Sequence, residues 1–195
     1  MAISCTKCGR QYDVTLFQFG RTVNCACGER VGLEHRLNLP LDSEIKFFAD
    51  VNVASVVRWL RAIGLDTVWE DAIPDAELVR RAAEESRFVL TLDKRILEEF
   101  RTDHVFLLST NEPIEQFAEI VRRFNLQKPT ELFTRCLVCN NLLREAETQE
   151  VVEYAPPSIR EAHKKFQFCP TCNKVYWEGS HTGRMREAIE EVFSE

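Results

Sequence analysis

Between residues 45 and 130 the apolar positions fall in short runs that alternate between two periods. The run Ile45-Lys46-Phe47-Phe48-Ala49-Asp50 reads as a short buried strand. Val53, Val56, Val57, Leu60 and Ile63 then recur at helical spacing, with Asn52 placed to cap the start and Gly64 the end. A second strand is predicted over 66–70, and a helix opening on Pro74-Asp75 puts Leu78, Val79 and Ala82 on one face. A third strand over 87–92 leads into a helix marked by Ile96, Leu97 and Phe100. A fourth strand over 104–109 precedes a helix striped by Ile114, Phe117, Ile120, Val121 and Phe124. This alternation with short connections predicts an α/β fold, a parallel sheet of about four strands flanked by helices.

The flanks are different. Eight cysteines fall as Cys5-x-x-Cys8, Cys25-x-Cys27, Cys136-x-x-Cys139 and Cys169-x-x-Cys172, with none between 28 and 135. Each close pair can turn both sulfurs toward one ion, so each end is expected to hold one structural zinc in a four-cysteine site. Disulfides are the alternative, as are redox pairs, although an intracellular chain keeps its thiols reduced. The Cys-x-Cys pair needs a tighter turn, which Gly28 permits. The long stretch 141–168 inside the second site must form a hairpin or helix of its own. Three domains follow: a zinc ribbon over 1–40 ending in the linker-like "LNLPLDSE", a core over 45–130, and a second ribbon over 134–195. A segment as short as the first has too little apolar core to fold without its metal. Its purpose stays open among substrate binding, docking to a protein partner and stabilisation.

In a parallel sheet, ligands bind beyond the carboxyl ends of the strands. Those ends carry Asp50, then Glu70 with Asp71, then Asp93, then Ser109-Thr110-Asn111, and Asp75 joins them at the start of a helix. Asp and Glu are the hard oxygen donors that Mg²⁺ or Mn²⁺ prefers. A pair of such cations activates a water and stabilises the leaving oxygen of a phosphodiester. Read singly, Asp75 after Pro74 and Asp93 before Lys94 also have the place of helix N-caps, and Asp50 that of a turn residue.

Net charge over the 195 residues is −6, and the stretch 46–133 alone accounts for −4. Broad binding of nucleic acid through a basic surface is therefore excluded. Local cations remain, among them Arg58 and Arg61 beside Asp50, although most such residues read as solvated helix faces. The start has no apolar leader and no run approaches the roughly 18–20 residues that span a bilayer, so a cytoplasmic protein without membrane contact is expected. The stretch "YWEGSHTGRM" sets Trp177, His181 and Arg184 beside the last cysteine pair, residues suited to stacking a base and touching phosphate. Equally, Trp177 could pack the ribbon and His181 bond locally. His35, His104 and His163 read as structural.

A resemblance adds to this. "KFFADVNVASVVRWLRAIGLDT", with "PDAELVRRAAEESRFVLTLD" after it, resembles the PIN-like ribonuclease module of the Mut-seven C-terminal family. "RCLVCN" and "CPTCNKVYWEGSH" resemble that family's zinc ribbon, and the likeness covers about 45–190. It implies metal-dependent cleavage of RNA, with Asp50, Asp75 and Asp93 as ligands of catalytic Mg or Mn. Glu70, Asp71, Asn111 and His181 are the supplementary candidates, His181 as a proton donor or substrate contact. Two departures matter: Thr91-Leu92-Asp93 stands where the family reads Thr-Arg-Asp, and no Asp ends the fourth strand. They leave open whether Lys94 or Arg95 replaces the arginine. They also motivate a competing expectation, a catalytically weak module whose ribbons recognise RNA or a protein partner on a PIN-like scaffold.

Overall fold

The structure is a computed structural model that describes residues 2–20, 22–32, 44–100 and 102–194. Most of the linker over 37–44, and His35, lie outside the described residues. Two compact units emerge, one from Met1–Ala54 with Val68–Thr110 and the other from Ser55–Thr67 with Asn111–Glu195.

The first unit begins with two small antiparallel hairpins, β1 (Ala2–Ser4) with β2 (Gln11–Asp13) and, after a 3-10 segment over Val14–Gly20, β3 (Thr22–Asn24) with β4 (Arg30–Gly32). Between the hairpins Cys5, Phe17, Cys25 and Val31 are buried together, a core of four side chains. Gly28 closes the Cys-x-Cys turn at φ +83°, its N–H bonded to the Cys25 carbonyl at 2.8 Å. That left-handed backbone is open to glycine at little steric cost.

The sheet follows. Its strands are β5 (Phe47–Ala49), β6 (Thr67–Trp69), β7 (Phe88–Thr91) and β8 (Val105–Leu107), in the order β6-β5-β7-β8. Parallel pairing sets Phe48 opposite Val89 and Leu90 opposite Phe106. All four strand windows were legible, each strand shorter by two or three residues than its predicted run. Helices α2 (Asp75–Glu84) and α3 (Lys94–Glu99) bury Leu78, Val79, Ala82 and Ile96 with Phe48, Val89 and Phe100. The second hairpin is fastened to the end of α3. Thr22 donates its hydroxyl to the Glu99 carbonyl at 2.7 Å, and Arg30 donates to the Leu97 and Phe100 carbonyls at 2.7 and 3.0 Å. These bonds satisfy carbonyls that a helix C-terminus leaves without intrahelical partners.

In the second unit, α1 (Val57–Ala62) and α4 (Pro113–Arg123) meet through Trp59 stacked on Phe117 at 6.0 Å. A C-terminal helix α7 (Ser180–Ser194) adds Phe193 edge-on to Phe117 at 6.2 Å. The 141–168 stretch forms a short strand β9 (Arg144–Glu145) and two helices, α5 (Thr148–Tyr154) and α6 (Pro157–Ala162). With β10 (Phe166–Cys169) and β11 (Lys174–Trp177), β9 makes a three-stranded antiparallel sheet over Ala155, Phe168 and Val175. Arg61, expected on a solvated face, is instead buried in this unit. It donates to the Thr67 carbonyl at 2.9 and 2.8 Å and to the Leu137 and Val138 carbonyls at 3.1 and 2.7 Å. One guanidinium thus ties the turn after α1 to the first cysteine knuckle of the ribbon. Gly64, at φ +85°, ends α1 as expected, and a Cβ there would come within 2.9 Å of the Thr134 hydroxyl.

Candidate metal centres

Each cysteine tetrad closes on a point. Among the described residues, donor groups converge within 4.8 Å in threes or more at two places, Cys5, Cys8, Cys25 and Cys27, and Cys136, Cys139, Cys169 and Cys172. The nearest sulfur pairs are 3.5 and 3.6 Å apart in the first tetrad, 3.4 and 3.9 Å in the second. Tetrahedral zinc with bonds of about 2.3 Å sets its sulfurs about 3.8 Å apart, whereas a disulfide needs about 2.05 Å. All eight thiols are free. The donor set therefore fits two structural zinc ions. Tyr176 stands behind the second site with its hydroxyl 3.0 Å from Cys136 Sγ, and burial and that sulfur push its phenol well above the usual range. Its proton is thus retained for the sulfur.

The acidic edge is built otherwise. Strand β5 delivers Asp50 and its neighbour β7 delivers Asp93, at the point where the chain order of the strands reverses and a parallel sheet opens its crevice. Asp50 is buried, and its carboxylate accepts from the Val51 N–H at 2.6 Å, the Asn52 amide at 2.7 Å and the Thr91 hydroxyl at 2.7 Å. The Thr91 hydroxyl in turn accepts from the Asp93 N–H at 2.9 Å, and the Asn52 side chain accepts from the Leu92 N–H at 3.0 Å. Thr91 and Asn52 thus lock the two strand ends together. Sequence patterning assigned neither a site role; a threonine inside an apolar strand and an asparagine two residues past a strand-ending aspartate were the available signals.

Asn52 does not cap a helix, because a 3-10 segment over Val51–Val56 intervenes before α1 and Val56 is its N-cap. Asp93 does cap α3, accepting from the Arg95 N–H at 2.9 Å. Its carboxylate also takes the Arg95 side chain, Nε lying 2.9 and 3.1 Å from the two oxygens, which holds it below the usual carboxylate range. Arg95 itself is largely in solvent, its side chain 80% exposed. Asp75 is the first residue of α2, and Pro74 is the N-cap, so Asp75 makes no capping bond. Burial, then the charges of Asp50 and Asp93, push the Asp75 carboxyl up. The three carboxylates stand wider than the tetrads.

The other candidates divide. Glu70 is engaged by Arg81 at 2.7 Å, and Asp71 is exposed on the turn before α2. Asn111 is exposed ahead of α4. His181 and Arg184 bond each other at 2.9 Å on exposed turns of α7, and Trp177 is half-buried at the end of β11. Arg80 and Arg81 pair with Glu77, Glu84 and Glu85 along α2.

Among the described residues no helix is long and apolar enough to cross a membrane. No curated protein and no solved structure matches the chain. The model of the Mut7-C RNAse domain matches residues 45–189, and the chain belongs to that family.

Proposed function

We propose that the chain is a metal-dependent ribonuclease that hydrolyses RNA phosphodiesters at Asp50, Asp75 and Asp93. One observation carries this: Asp50 and Asp93 end the neighbouring strands β5 and β7 at the switch point of the sheet, with Asp75 near enough for burial and then their charges to raise its carboxyl, in a chain of a ribonuclease family. Such clustering of like charge is relieved by a divalent cation. The donors fit Mg²⁺ or Mn²⁺, which bind through one or two carboxylates and keep several waters, so a spacing wider than the thiolate tetrads is suitable. When bound, the ion supplies charge stabilisation for an in-line attack of water on phosphorus.

The protein's own groups then have distinct parts. Asp50 is fixed and buried, its orientation set by Val51, Asn52 and Thr91. Asp93 keeps one oxygen on the Arg95 N–H as the cap of α3, while the exposed Arg95 side chain on it can turn to a phosphate. Arg95 supplies a cation three residues beyond the position where Leu92 replaces arginine. Asp75 completes the charge. Residues 45–130 form the nuclease domain and 134–195 a ribbon for RNA, in the reducing cytoplasm where the thiols persist. The hairpin of β3 and β4 in the N-terminal ribbon fastens α3, the helix that Asp93 caps. A binding module without turnover is the second reading, favoured by the Arg95 side chain on Asp93.

Incubation of the zinc-loaded chain with single-stranded and structured RNA in Mn²⁺ tests the proposal. Wild type should cut and Asp93→Asn should not. Equal activity in both, or none in either across these substrates, removes the enzyme reading.

A further inference from the structure

Helix α3 is poorly provided for by its own sequence. It has six residues, Lys94–Glu99, and only Ile96 among them is buried. A helix of under two turns is unstable by itself, because nucleation costs more than its few hydrogen bonds return. Its last turn carries Glu98 and Glu99 and no basic residue, the wrong sign for the negative end of a helix. Phe100 follows in extended backbone, so no left-handed residue closes the end.

What the helix lacks comes from 67 to 77 residues earlier in the chain. Four successive carbonyls, Leu97 to Phe100, accept from two side chains of the β3–β4 hairpin. Arg30 donates to the first and the last, at 2.7 and 3.0 Å. Thr22 shares its hydroxyl proton between Glu98 and Glu99, at 3.1 and 2.7 Å. Arg30 Nε also donates to the Thr22 hydroxyl oxygen at 3.2 Å, which fixes the two side chains to each other. The guanidinium thus brings to this helix end the positive charge that its own last turn lacks.

The hairpin in turn hangs on the first tetrad. Its strands have three residues each, and an isolated pair of strands is marginal in water. Its turn is the Cys25-x-Cys27 knuckle, closed by the Cys25 N–H on the Glu29 carbonyl at 2.8 Å. Arg30 follows Glu29 and precedes the buried Val31. The side chain that holds α3 is therefore placed by the same turn that offers two thiolates to an ion. At the other end of α3 stands Asp93, with one oxygen on the Arg95 N–H. So short a helix, once frayed at its C-terminus, loses that cap as well.

We propose that the first zinc site works as a clamp on α3, with Arg30 and Thr22 as positioning residues that hold Asp93 in place for its cation. Of the purposes left open for the N-terminal ribbon, this selects stabilisation, directed at one helix. The coupling to a cation rests on the ribonuclease reading; the clamp does not.

Hydrogen exchange over 96–100 in the full zinc-loaded chain, together with Mn²⁺ titration read by electron paramagnetic resonance, tests this. Arg30→Ala should keep two zinc ions and quicken exchange about tenfold or more. It should also weaken Mn²⁺ binding about fivefold or more. Loss of a cation would by charge alone strengthen Mn²⁺ binding, so the sign separates positioning from electrostatics. Arg30→Lys should restore part of both, since it keeps the charge without the fork. Thr22→Val, which changes no charge, should move both in the same direction by less. Cys8→Ser, with one zinc ion left in the second tetrad, should move them at least as far as Arg30→Ala. Should Arg30→Ala lose zinc, Thr22→Val with both ions in place decides. Unchanged exchange in Arg30→Ala and Thr22→Val overturns the clamp. Quickened exchange with Mn²⁺ binding as tight as in wild type overturns the coupling. A wild type that binds no Mn²⁺, with exchange still quickened in the variants, would sink the carboxylate reading and spare the clamp.

Discussion

The thiolate tetrads and the carboxylate edge both gather negative charge, yet they are built on different principles. The tetrads place four soft donors at near-tetrahedral spacing, with one hydroxyl behind the second. Their geometry belongs to the ion, and small cores such as that of Cys5, Phe17, Cys25 and Val31 depend on it. The carboxylates stand wider, and their geometry belongs to the protein, through Thr91, Asn52 and the Asp93 cap. On the proposed reading, one arrangement keeps its metal and the other exchanges ligands around one.

The sharpest way to break this comparison is to remove zinc. Cys169→Ser should lower the zinc content from two ions per chain to one and unfold the ribbon, since structural zinc contributes on the order of 10 kcal/mol to small domains. Elemental analysis with circular dichroism reads both effects. A ribbon that stays folded with one zinc would place the carboxylates and the tetrads in a single class. Next in size, Asp93→Asn should cut the rate of Mn²⁺-dependent cleavage by about 10²–10³-fold, because the ion's stabilisation of transition-state charge is worth several kcal/mol. Its thermal unfolding should change little by comparison.

Arg61→Ala should destabilise the second unit by about 2–4 kcal/mol, since three buried or half-buried carbonyls lose a charged donor. Denaturant titration measures it, and RNA cleavage by the surviving folded fraction should persist. Thr91→Val should cost about 1–2 kcal/mol and loosen the strand-end lock, visible as weaker Mn²⁺ binding with both zinc ions in place.

Smallest is Asp75→Asn. The Asp75 carboxyl is raised in the folded chain, so the folded state binds its proton more readily than the unfolded one. The resulting penalty, from burial first and the neighbouring charges second, is absent below the ordinary carboxylate value of about 3.9 and grows as pH rises through the raised value. Without added divalent cation, the variant should gain a few tenths of a kcal/mol at pH 7, because water still reaches the site. The gain should vanish near pH 3–4. No gain at pH 7 would mean that neither burial nor the charges of Asp50 and Asp93 penalise the Asp75 carboxylate.

Much of this architecture was legible in the sequence, for a physical reason. Strands β5, β6, β7 and β8 are each an apolar run stopped by a polar residue, a signal confined to neighbouring positions. The cysteine pairs are legible likewise, since metal spacing is local. What escaped is non-local. Asn52 has a good cap position in sequence, but its side chain answers to Asp50 and to Leu92, forty residues away. Arg61 sits where a helix face would be solvated, and only the distant Leu137 and Val138 carbonyls explain its burial. Helix α7 was not foreseen because Gly183 and scattered charges blur its stripe, although Ile189 is fully buried. Asp75 kept its helix start but lost its cap role to Pro74.

The most direct measurement is equilibrium titration of the zinc-loaded chain with Mn²⁺, read by the electron paramagnetic resonance of the free ion. The account predicts saturable Mn²⁺ binding beyond the two zinc ions, weakened at least tenfold by Asp93→Asn while both zinc ions stay. Identical isotherms for wild type and Asp93→Asn would contradict it.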